Sequence, residues 1–512
     1  MLISDVRIIT SIFPALAATL IFFSSPTQAV EKGGTNLSGQ SRDSELSCGG
    51  ELELRVWKLW ETEGRPFLRD QLIQKRLTQE GDSYALYDIQ GYFHNLTAMA
   101  ERCARSDRLI QIADEAIAAY QSLQPLPVGE GRGWICGGGR TCSDTNRLRG
   151  NEVQLVSVQG LGFFSALSYA LITSGSLKAK SHPLIRLTAK ASLEHLHRWG
   201  DKRAISSWKR RMAAKSSEIK NGSSELFFTD RDLWQLTIYS NVAGILKMDA
   251  RLRDDMEKAG LIDDQSMMGV VSLFSLFKTR TTFEVIPNPN GGSVVTGDLD
   301  RGFWRLFADN RFASYSSDVA PNECKKGEDV EPNRKKIEPL EPVESLGWDI
   351  SHARRLVHAF NAVDKNRVAI EELFQVPQNS LPSKDVAKSF AAQLLFRVWN
   401  GDLKRPLFKN YWNGSNGWYR VGYGVESGRC NPGIPPYGLS DSFATGGYAT
   451  WSKFYPELGV LGESIYRASQ ESTDASRIFI SKFYPSLGIG AASNTRMLAQ
   501  LMFWPSLIAN KS

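Results

Sequence analysis

The chain has only six histidines and six cysteines in 512 residues, and neither set is spaced like a metal site. His195 and His197 come nearest, but no third ligand stands beside them, so no metal is expected. A Gly-x-Ser-x-Gly nucleophile elbow and a Gly-x-x-x-x-Gly-Lys-Ser/Thr phosphate loop are both missing, which removes two common catalytic signatures. No cofactor is expected. After the N-terminal segment no stretch reads as a membrane span. Lys and Arg total 61 against 55 acidic residues, a net charge of +6 that permits a polyanionic partner without requiring one. Much of the excess lies between Lys178 and Lys220 and reads as a solvated helix face. Without a recognised module or interleaved stacking aromatics, nucleic-acid binding is not expected.

What is present begins with Arg7, the apolar run Ile8 to Phe23, and small residues ending at Ala29. This is the pattern of a removed signal peptide at 1–29; the run is shorter than the roughly 20 residues of a span and contains Pro14. A polar, Gly/Ser-rich linker is expected at 30–47 and one domain at 48–512, in a periplasmic or secreted protein. An even set of cysteines in such a chain points to disulfides. Cys136 and Cys142 flank Gly137, Gly138 and Gly139 and are the expected pair. Cys48, Cys103, Cys324 and Cys430 allow three pairings.

Helical periodicity dominates from there on, usually as paired segments joined by Gly, Pro or Asn-rich loops. Asp88-Ile-Gln-Gly-Tyr-Phe is echoed by Ser157-Val-Gln-Gly-Leu-Gly-Phe-Phe, and further apolar helices start near Asp230, Asp349, Asp441 and Asn494. Partner helices are expected at 110–123, 183–197 and 386–399. Residues 281–296 read as a β-hairpin around the turn cluster 287–292, and 324–344 as a charged excursion, giving loop insertions near 281–346 and 411–439. The second displays Trp412, Trp418, Tyr419, Tyr423 and Tyr437 among glycines and prolines.

The chemically densest stretch is Gly347-Trp-Asp-Ile-Ser-His-Ala-Arg-Arg-Leu-Val-His-Ala-Phe. Ile350, Ala353, Leu356, Val357 and Phe360 face a core at helical spacing, while Asp349 and His352 share one side of the first turn. The competing reading makes Asp349 an N-cap and His352 a packing residue.

About six helical hairpins, carboxylates and aromatics near helix starts, and an export signal together resemble the six-hairpin (α/α) toroid glycosidases and their lyase relatives. The resemblance is architectural. It implies an all-α toroid with a small β-hairpin insertion and long loops, and a polysaccharide or oligosaccharide as substrate. Glycoside hydrolysis needs one carboxylic acid and one carboxylate. Glu152, Asp230, Asp232, Asp349 and Asp441 are the candidates, with Asp349 the acid, on account of its apolar neighbour Trp348, and Asp441 the base. Trp348, Arg354, Trp412, Trp418, Tyr419 and Tyr437 are expected to hold substrate. A uronate lyase or epimerase of the same architecture would use His352 as base and a cation such as Arg354 or Arg355. A toroid that only binds a glycan or a protein is the third reading.

Overall fold

The computed structural model describes residues 45–129, 131–219, 225–289, 291–306, 343–421 and 431–509. The expected signal segment, residues 30–44 of the expected linker, Cys324, Cys430 and all but the last two residues of the excursion 324–344 lie outside the described residues.

The described chain is mostly helical, with two small antiparallel sheets. Its principal helices are α1 (Glu51–Leu59), α2 (Ala85–Arg102), α3 (Ser106–Ala116), α4 (Gln154–Thr173), α5 (Leu184–Trp199), α6 (Lys202–Ala213), α7 (Asp230–Met248) and α8 (Asp264–Arg280). They continue with α9 (Ile350–Ala353), α10 (Leu356–Phe374), α11 (Val386–Gln393), α12 (Asp441–Thr445), α13 (Pro456–Gln470), α14 (Asp474–Phe483) and α15 (Ser493–Leu507). Five of them pack in series: α15 on α2, α2 on α4, α4 on α7 and α7 on α10. Others lie against that series, α1 on α15, α3 on α2 and α4, α5 on α4 and α7, and α8 on α7 and α10.

Sequence decides which helix goes where. In α4, Leu155, Val156, Val158, Leu161, Phe163, Phe164, Leu167 and Leu171 are all buried, so the helix is apolar around its whole circumference and stable only when enclosed. By length and composition α4 could cross a membrane, which the sequence reading did not register; 89% of its most apolar window is buried inside the fold. In α6 only Ile205, Trp208 and Arg211 are buried, and Lys202, Arg203, Lys209 and Arg210 are exposed, so the basic stretch is largely a solvated face.

The expected hairpin is present: Thr281–Pro287 pairs with Ser293–Leu299 in one register from Thr281 opposite Leu299 to Pro287 opposite Ser293, and its second strand packs on α11. A two-residue pairing of Gln124–Pro125 with Arg132–Gly133 was not expected. Cys136 and Cys142 form the expected disulfide, and Cys48 pairs with Cys103. Two disulfides fit an oxidising compartment. Residues 45–47, at the end of the expected linker, are already docked. The backbone of Cys48 donates to Ala509, that of Ala509 to Leu46, and Glu45 pairs with Arg467 at 2.6 Å.

Candidate functional site

The starts of α2, α7, α10 and α12 bring together charged and aromatic side chains that the sequence scatters over more than three hundred positions. Arg355 anchors the group. Its guanidinium donates to the Tyr87 hydroxyl at 2.8 Å and stands 3.5 Å from Asp230. Next to it, Arg354 interacts electrostatically with Tyr87, Tyr448 and Asp441, and one turn further His358 feels Arg354. His358 stacks on His94 of α2 with ring centroids 3.7 Å apart, and Trp234 of α7 extends the stack. Burial holds both imidazoles neutral, His94 far down and His358 to about 3.

Asp88, Arg354, His358 and Asp441 are each half-buried, yet burial is the leading influence on their ionisation. Groups that touch solvent while being surrounded by protein line a recess. On α2, Gly91 has open space where a side chain would stand. The turn after α12 closes in by means of two glycines. A Cβ on Gly446 would lie 2.6 Å from the Arg354 Cβ, and one on Gly447, at φ +78°, 2.5 Å from the Asn95 side chain.

Asp441 opens α12, and the Ser486 hydroxyl donates to its carboxylate, lying 2.7 and 2.8 Å from the two oxygens. Burial pushes its carboxyl up to about 6, against the opposing influences of Ser486 and Arg354. Asp349 behaves in the opposite way. It caps α9, accepting from the Ser351 and His352 amides, the Ser351 hydroxyl and the His352 Nδ1 at 2.6 Å. Burial alone would raise it, but His352 and these donors outweigh burial and hold it at about 2. The expected acid is therefore the ionised member and the expected base the protonatable one: Trp348 does adjoin Asp349, but an apolar neighbour loses to four donors. Asp349 is also fully enclosed, so it positions His352 and does not reach a ligand. His352 is itself buried between Trp304 and Trp348, at ring distances of 5.0 and 6.4 Å.

Other expected residues serve the fold. Asp232 closes a capping box with Thr229 and receives Arg211 and the Trp208 indole, so its oxygens are fully occupied. Glu152 is enclosed by His195, Arg198 and Trp199 and held at about 2; His195 and His197 share no common partner. Trp348 packs on Phe228 and Trp304. Trp412 is fully buried among Phe390, Tyr448 and Trp451, with its indole donating to the Gly297 carbonyl at 3.1 Å. Tyr419 is 2% exposed and its backbone pairs with Ile434. These three rings cannot serve as the expected stacking surface, because packing covers their faces. Trp418 and Tyr437 remain half-exposed. Tyr437 sits at φ +62°, a left-handed conformation held by an amide bond to Asn416 and a Ser440 hydroxyl bond to its carbonyl.

Sequence reasoning passed over Tyr87, Asp88, His94, His358 and Asn410, and offered Arg355 only as an alternative to Arg354. In sequence the Asp88 motif reads only as an echo; its position in the first turn of α2 is the usable signal. Asn410 is fully buried and clasps the loop around it, donating to Gly417 and Pro435 carbonyls at 2.8 and 2.9 Å and accepting from Leu439 at 3.0 Å. A groove of about 410 Å³ against Ala468, Arg477, Ile480 and Ile489 holds none of the recess groups.

No protein-family model, curated protein or solved structure matches this chain.

Proposed function

We propose that this protein is an exported carbohydrate-active enzyme of (α/α) toroid architecture, a glycoside hydrolase whose working site is the recess between Tyr87, Asp230, Arg354 and Asp441. The toroid reading is supported by the packing order. The series α15–α2–α4–α7–α10 is bridged at its ends by the turn Tyr448–Lys453, which packs on both α10 and α15. The observation that carries the chemistry is Asp441, a recess carboxyl that stays protonated up to about pH 6.

In this reading Asp441 gives its proton to the glycosidic oxygen as the bond to the anomeric carbon breaks. Asp230, paired with Arg355, takes a proton from the water whose oxygen attacks that carbon. The enzyme is left with Asp441 ionised and Asp230 protonated, and exchange with solvent restores both. Asp349 holds His352 in place beside the site.

A panel of polysaccharides assayed for new reducing ends tests this. On a substrate that is cleaved, Asp441→Asn and Asp230→Asn should each lower turnover by roughly 100-fold or more. Unchanged turnover in both folded variants would remove the assignment. The lyase reading is favoured by Arg354, a cation placed to stabilise an enolate. It predicts instead that products absorb as unsaturated uronates.

A further inference from the structure

We infer that the recess takes an acidic sugar and that Arg354 receives the carboxylate of its ring. This rests on the glycan reading above and narrows it to a substrate class.

Most of the fold's enclosed arginines meet a carboxylate, and Arg354 does not. Arg211 pairs with Asp232, Arg280 with Asp300, Arg355 with Asp230, and Arg76 with both Asp82 and Asp88. Arg102 instead donates to the carbonyls of Pro505 and Ile508. Arg354 has no carboxylate within ion-pair distance among the described residues, and its one hydrogen bond, to the Thr445 hydroxyl, is 3.4 Å long. Burial lowers its pKa, and the favourable influences of Tyr87, Tyr448 and Asp441 act against that without a direct ion pair among the described residues. A guanidinium in that state is completed by an anion that enters from outside.

The class of ligand follows from the groups around Arg354. Arg354's planar fork matches a carboxylate bidentately, and its stem is fixed by the close approach of Gly446. Arg355 is already met by Asp230 and Tyr87, which leaves Arg354 as the one recess arginine without a directly paired carboxylate among the described residues. A phosphate dianion would need a second free cation. Tyr87 and Tyr448 flank the guanidinium, and His358 and Asn361 follow at successive turns of the same helix face, half-buried and polar, as a ring of hydroxyls would require.

The experiment measures binding by calorimetry of oligogalacturonate, hyaluronan and alginate oligosaccharides, of their methyl esters, and of neutral cello-oligosaccharides. Wild type should bind at least one acidic oligosaccharide and lose roughly tenfold to a hundredfold in affinity when its carboxylates are esterified. Arg354→Gln should lose the same factor for the acid and nothing for the ester, and Arg354→Lys should recover part of it. Equal affinity for acid and ester, or no binding of any acidic oligosaccharide, overturns the inference. So does acetate or inorganic phosphate binding as tightly as the sugar, which would mark a site for a free anion. The ester comparison uses wild type alone and survives a variant that fails to fold. Cleavage of neutral glycans without preference for acid would leave the hydrolase reading standing and remove this inference. Acid-specific binding without cleavage would do the reverse.

Discussion

Asp349 and Asp441 are both helix-start aspartates, but only one is bonded by its own helix. Asp349 sits at the N-cap, where its oxygens meet amides two and three residues on; Asp441 is the first residue inside its helix and meets only Ser486, forty-five positions away. That difference of one position reverses their protonation, and the sequence could not reveal it because the helix boundary was uncertain by more than that. The imidazole pair carries a further residue-scale consequence. His94 and His358 resist protonation when folded, so below the ordinary histidine value of 6.5 the unfolded chain binds more protons. Stability therefore falls as pH drops through 6.5 toward about 3, the folded value of His358, and levels off below it. Asp298, Asp300 and Asp441, held at about 7, 6 and 6, act with the opposite sign over much of the same range. The comparison is accordingly between wild type and His358→Gln at each pH. Urea unfolding should show the stability gap between them changing in the variant's favour as pH falls from 7 to 4; a gap independent of pH would contradict the neutral pair.

At the scale of elements, helix existence was legible and the role of the aromatic loop was not. Periodicity located α2, α4, α7, α10 and α12, and the Pro/Asn/Gly cluster located the hairpin, since both are local signals. Aromatic rings among glycines look exposed in sequence because the partners that cover them are distant: Trp412 meets Phe390, Gly297 and Tyr448. Asn410 is the element that gives this loop its course. Asn410→Ala would leave two carbonyls and an amide without their partner, costing about 2–4 kcal/mol. Thermal melting should show that loss together with weaker ligand binding, whereas Trp418→Ala, at a half-exposed ring, should change stability by less than about 1 kcal/mol. Equal losses would mean that the loop is held by its rings and not by Asn410.

For the whole molecule, the disulfide joining Cys48 to Cys103 spans 55 residues and ties the segment before α1 to the end of α2. Replacing both by serine should lower stability by about 2–4 kcal/mol, and replacing Cys136 and Cys142, which close a ring of only 6 positions, by less. Chemical denaturation ranks the two; the reverse order would contradict loop closure as the cause. The helical class of the molecule was readable from periodicity alone. The recess was not, because it is assembled from four separated helix starts whose meeting depends on which apolar helices are enclosed.

The central claim is that Asp441 is the proton donor of a glycan-cleaving recess. The most direct test is the pH dependence of kcat/KM for wild type and Asp441→Asn on the first polysaccharide found to be cleaved. A donor held at about 6 must lose activity as pH rises above that value, because the ionised form has no proton to give. Wild type should show that alkaline limb and Asp441→Asn, at far lower rate, should lack it. An alkaline limb that persists unchanged in Asp441→Asn would contradict the account.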